Sequence, residues 1–156
     1  MEIIIKGWEW AVNYKPQKPT YAIRIVDLER SNGRREPFPP LTQDSNYIHV
    51  MEYVFDDVDP GYNPSPSRTR MFNQEIARQM LNDFQQGRKE CLSLLVHCTH
   101  GSNRAPAVGI AFNDIFRLGE DTQGLMGRYG GYTRYIYSVL IKTARDLGML
   151  QTNSRV

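Results

Sequence analysis

Cys98 and Arg104 stand six positions apart in the run LSLLVHCTHGSNR, residues 92–104, with His97 directly before the cysteine and Gly101 midway between the pair. That set suits the capture of a tetrahedral phosphate by a thiolate. A cysteine attacks as thiolate, a form favoured by backbone N–H groups at a helix N-terminus and by a neighbouring guanidinium. The intervening Thr99, His100, Gly101, Ser102 and Asn103 are enough to wrap one loop around an anion with their N–H groups inward. Gly101 falls where a positive φ or a close backbone approach is needed. Arg104 offers a planar fork to two phosphoryl oxygens. Ala105 and Pro106 open a helix, where proline loses no hydrogen bond. A purely structural Cys98 is the bland alternative, and the apolar β-type run before it and the amphipathic helix after it weigh against coincidence.

The elements that must position this loop are legible as alternating strands and helices. Residues 3–5 read as a short buried strand that Trp8 and Trp10 continue with period two, and residues 21–28 (YAIRIVDL) and 48–55 (IHVMEYVF) read as two more. Residues 29–45 are polar and carry Pro37, Pro39 and Pro40, as expected of a surface loop. A turn-rich stretch with three prolines follows at 56–67. Phe72, Ile76, Met80 and Phe84 recur at helical spacing in a helix expected over 67–86, with Gly87 as its stop. Residues 92–96 form the fourth, central strand, and helices are expected at 105–118, 122–127 and 132–147. The pattern predicts an α/β fold: a largely parallel sheet of four or five strands flanked by helices, with the phosphate loop at the carboxyl end of a central strand.

Composition narrows the class further. The chain has 156 residues, 40% hydrophobic and 23% charged, which suits one domain over 1–156. Its net charge of +2 is too small to argue for nucleic acid. Arg68, Arg70, Arg128 and Arg134 read as solvated surface charges. No apolar run approaches membrane-spanning length and the N-terminal segment lacks signal-peptide character, so a cytoplasmic protein without a membrane partner is expected. Cys91 and Cys98 are too far apart along one extended segment for a disulfide, and Cys91 reads as structural. His97, Cys98 and His100 share one tight loop and His49 is isolated, so neither a metal nor any other cofactor is expected.

The string His97-Cys98-x5-Arg104 resembles the signature loop of the cysteine-dependent protein tyrosine phosphatase superfamily. HCTHGSNR is most similar to the RNA 5′-triphosphatase branch, and the RAPA that begins at Arg104 to loops of small dual-specificity and glucan phosphatases. The resemblance implies a phosphotyrosine-phosphatase-like fold, Cys98 as nucleophile, Arg104 and the N–H groups of residues 99–103 as phosphate ligands, and His97 orienting the loop from behind. It also implies an aspartic acid on an upstream loop that protonates the leaving oxygen. Asp56, Asp57 and Asp59 all lie on such a loop; the strand-end alignment selects Asp57, with Asp59 second and Asp56 third. The interval to Cys98 is longer than in the family, consistent with an insertion at 60–66. Tyr62 in that stretch is a candidate aromatic wall, though a surface tyrosine in a turn is the plainer account.

One departure stands out. Family members usually carry Ser or Thr directly after the arginine, where a hydroxyl helps the cysteine leave, and Ala105 here weighs against fast turnover. The expected function is a phosphomonoester hydrolase acting on a phosphorylated protein or a similar monoester through a phosphocysteine. The alternatives are an RNA 5′-triphosphatase, for which the RNA 5′ end would be the partner, and a catalytically weak phosphate-binding module. A rhodanese-type sulfurtransferase is a distant fourth.

Overall fold

A computed structural model describes residues 1–29, 38–61 and 65–150. Among these residues four strands form one sheet: β1 (Glu2–Gly7), β2 (Thr20–Val26), β3 (Tyr47–Val54) and β4 (Ser93–Cys98), in the order β1-β4-β2-β3. Every pairing is parallel. Five α-helices accompany them: α1 (Trp8–Ala11), α2 (Gln74–Gly87), α3 (Arg104–Phe116), α4 (Thr122–Arg128) and α5 (Arg134–Asp146). The expected α/β class is therefore the observed one.

Strand alternation divides the residues between two faces. Tyr21, Ile23 and Ile25 of β2, with Leu94, Val96 and Cys98 of β4, join the main core beneath α2, α3 and α5. Ala22 and Leu95 belong to a smaller cluster on the other face, covered by Ala11, Tyr14 and Leu41. Helix α2 buries Ala77, Met80, Leu81 and Phe84, one stripe at i, i+3, i+4 and i+7. Helix α3 runs between the sheet and α5 and is buried over most of its surface. Phe84, Phe112 and Phe116 meet edge-on or tilted at centroid distances of 4.8–5.4 Å, each fully buried ring contributing about 1.5–3 kcal/mol.

Several boundaries differ from the sequence expectation. Trp8 and Trp10 do not extend β1, because the chain turns at Gly7 into α1 and the Trp8 N–H donates to the Thr99 carbonyl at 3.4 Å. Helix α2 starts at Gln74 instead of Ser67, since the Asn73 side chain caps it by accepting from Ile76 N at 2.9 Å. The segment before it is tied to the loop after β3 by Arg70, whose N–H donates to Asp56 Oδ2 at 2.7 Å. Leu92 lies outside β4 and is exposed, whereas His97 and Cys98 complete the strand. Pro37 and Tyr62 lie outside the described residues.

Because all four strands run the same way, their carboxyl ends gather along one edge of the sheet. Gly7, Asp27, Phe55 and Cys98 each end or directly follow a strand there, and ligands of open α/β sheets bind at such an edge.

Candidate active site

Cys98 is the last residue of β4 and is almost wholly buried. The next five residues curl back, and the Gly101 N–H donates to Cys98 Sγ at 3.2 Å. Gly101 has φ +75°, and a Cβ placed on it would lie 2.5 Å from the Gly7 backbone nitrogen. A Cβ on Gly7 would in turn come within 3.1 Å of the Thr99 and His100 backbone. The two glycines let the loop cross the β1–α1 junction in contact with it, so the loop is seated on backbone.

Arg104 opens α3, and its side chain is buried. Nη1 donates to Asp27 Oδ1 at 2.6 Å and to the Phe55 carbonyl at 2.7 Å, and Nη2 donates to Thr99 Oγ1 at 3.1 Å. Of the five N–H groups on a guanidinium, these leave Nε–H and one N–H of Nη2 for a ligand among the described residues. Asp27 follows β2 directly, one strand across from Cys98, and holds the fork at a fixed angle. Asn103 does not cap α3 with its side chain; its amide donates to the Gly131 carbonyl at 2.5 Å. Pro106 at the third helical position has no N–H to satisfy, and the N–H groups of Arg104 and Ala105 before it have no carbonyl partner within the helix.

His97 points to the opposite face of the sheet from Cys98. The register pairs it with Arg24, whose Nε donates to His97 Nε2 at 2.8 Å while Nη2 donates to the Pro39 carbonyl at 2.6 Å. An arginine can only donate, so Nε2 of this imidazole carries no proton. Phe38 stacks on Trp8 and packs on His97, closing that side. His100 and Ser102 are exposed on the outer side of the loop, and Thr99 and Asn103 are half-buried.

The three candidate acids part company. Asp56 is buried, and its Oδ2 accepts from Arg70 N at 2.7 Å and Leu28 N at 3.4 Å, so it ties the loop to its neighbours. Burial pushes its carboxyl above the usual range, with Asp27 adding to the rise and the two N–H donors and Arg104 opposing it. Asp59 accepts from Gly61 N at 2.8 Å within its own turn. Asp57 is exposed and reaches across to Thr133, whose hydroxyl donates to Asp57 Oδ1 at 3.1 Å. Thr133 N in turn donates to the Asn103 carbonyl at 3.1 Å, which brings Asp57 to the loop that carries Cys98.

Arg24, Asp27 and Thr133 were not singled out in the sequence. Arg24 left a signal, a cation inside the apolar run YAIRIV, and Asp27 left a weaker one, a carboxylate at a strand end. Thr133 left none. Cys91 and Cys98 are both free, at opposite ends of β4, and burial raises the Cys91 thiol. Among the described residues no cluster of three His, Cys, Asp or Glu has metal-binding proximity, and no helix is long and apolar enough to cross a membrane.

No family model and no curated protein matches the chain. Among solved structures it is similar to the human tyrosine phosphatase-like serine/threonine/tyrosine-interacting protein, at 14% identity over 94% of this chain and 90% of that one, with a TM-score of 0.44. At that level the likeness assigns no activity.

Proposed function

We propose that this chain is a cysteine-dependent phosphomonoester hydrolase of the tyrosine and dual-specificity phosphatase type. One observation carries the reading: Cys98 Sγ lies at the floor of a loop whose Gly101 N–H already donates to it, with the Arg104 fork fixed at the loop's end. The Cys98 thiolate attacks phosphorus and the ester oxygen departs with a proton from Asp57. Arg104 and the N–H groups of Thr99, His100, Gly101, Ser102 and Asn103 hold the equatorial oxygens as charge builds on them. Water then attacks phosphorus in the phosphocysteine, giving its proton to Asp57 and returning the sulfur as thiolate. Asp57 is preferred over Asp56 and Asp59 because the carboxylates of those two are engaged by backbone N–H groups. The guanidinium and N–H groups supply the charge stabilisation, so the reaction runs without metal. A cysteine attacks only while it is a reduced thiolate, which fits a reducing compartment, and a phosphorylated protein in the cytoplasm is the proposed substrate.

Hydrolysis of p-nitrophenyl phosphate in the presence of EDTA tests the proposal. Cys98→Ser is expected to abolish turnover, leaving less than about a thousandth of it; activity that survives the substitution overturns the mechanism.

A second reading, capture of a phosphorylated ligand with slow release, is favoured by Ala105. Its methyl group is fully buried, and the loop hydroxyl of Thr99 is engaged with Arg104. A burst of one nitrophenol per chain followed by slow steady turnover would select it.

A further inference from the structure

We propose that Thr133 is a positioning residue that latches the Asp57 loop over the phosphate cradle. The inference deepens the hydrolase reading and rests on Asp57 being the acid.

Thr133 is the residue that precedes α5 and occupies its N-cap position. Threonine there normally turns its hydroxyl onto the second or third N–H of its own helix. Here it makes no such bond, and the hydroxyl reaches instead to Asp57 Oδ1, 76 residues away in sequence, at 3.1 Å. A helix cap has been given up for a tertiary contact to the one loop aspartate whose carboxylate is not bound by backbone.

The support behind Thr133 is rigid. Its N–H donates to the Asn103 carbonyl at 3.1 Å, and the Asn103 amide donates to the Gly131 carbonyl at 2.5 Å, so the turn before α5 is fastened twice to the last residue of the cysteine loop. Tyr132 N closes the turn onto the Tyr129 carbonyl at 2.9 Å, and Arg134 lies over the Tyr132 ring. Helix α5 itself is anchored in the core by Ile136, Leu140 and Ala144. The root of the acid loop is fixed independently: the Phe55 carbonyl accepts from Arg104, and Asp56 is held by Arg70 and Leu28. Asp57 is thus the first loop residue beyond a pinned root, and Thr133 is what holds its side chain in register with sulfur and guanidinium.

A general acid matters most when the leaving oxygen is a poor one. Thr133→Val is therefore expected to lower kcat/KM, which reports the step that expels the leaving group, about three- to tenfold more on phenyl phosphate than on 2,4-dinitrophenyl phosphate, the size of one hydrogen bond. Thr133→Ser recovers the loss, and in an Asp57→Asn background Thr133→Val adds nothing. Independently of catalysis, hydrogen exchange at the amides of Asp57, Val58 and Asp59 is expected to speed up in Thr133→Val and not in Thr133→Ser. Equal losses on the two esters, no recovery by serine, or unchanged exchange overturns the latch. If instead Asp57→Asn costs both esters equally, the acid assignment fails, and the exchange measurement still decides whether the latch exists.

Discussion

Asp56 and Asp57 are adjacent and chemically identical, yet one is buried and the other exposed, with different partners. Asp56 sits in the interior with two backbone donors, and burial raises its carboxyl above the ordinary value of 3.8. Between that value and the raised one the folded chain binds more protons than the unfolded chain, so stability contributed here is greatest in acid and falls as pH rises through the window. Asp56→Asn keeps an oxygen to accept the two N–H bonds and removes the titration. The variant is expected to gain stability relative to the parent at about pH 7 and to lose that gain by about pH 4, read by urea denaturation at both. A gain that grows toward acid would reverse the assignment.

At the scale of elements, the site depends on one loop lying against one strand end. Gly101 and Gly7 permit that contact, and the left-handed φ of Gly101 excludes easy replacement: Gly101→Ala adds about 1–2 kcal/mol of backbone strain to a direct clash with the Gly7 and Lys6 backbone. Displacement of the loop from β1 would pull its N–H groups off the anion, with an expected loss of about a hundredfold or more in kcat/KM, in line with removal of oxyanion donors. Gly119→Ala is the control. Gly119 also has a positive φ, +101°, but a Cβ there meets nothing within 4 Å. It is expected to lower thermal stability without changing the pH dependence or the leaving-group dependence of hydrolysis.

For the whole molecule, the site and the core are one structure. Arg104 is buried and bonds to residues that follow β2 and β3, while α3, which it opens, packs on β1, β4, α4 and α5. An anion seated in the cradle therefore stabilises the folded chain as a whole. Phosphate at about a hundred times its Kd is expected to add about 2.7 kcal/mol, which for a chain of this length raises Tm by roughly 5–10 °C. Scanning calorimetry in phosphate against chloride at equal ionic strength checks this. A shift equally large in Arg104→Ala would mean that phosphate binds elsewhere.

Much of this was local and so readable from the chain. The six-residue interval from Cys98 to Arg104 is covalent, and a strand ending in a short loop and a helix leaves that segment few ways to close. Alternating apolar runs set the strands and their α/β class, because each must bury one face or both. Boundaries strayed where a tertiary bond prevailed over local preference: Trp8 and Trp10 left β1 because the cysteine loop bonds across Gly7, and α2 began late because Arg70 is drawn to Asp56. Only the folded chain decided which strands are neighbours. Placing β4 between β1 and β2 brings Arg24 to His97 and Asp27 to Arg104, contacts separated by 73 and 77 residues. The different partners of Asp56 and Asp57 are likewise tertiary, since Leu28, Arg70 and Thr133 reach the loop from other parts of the chain. Covalent spacing and hydrophobic period are carried by neighbouring residues, whereas register and long-range hydrogen bonds exist only once distant segments have packed.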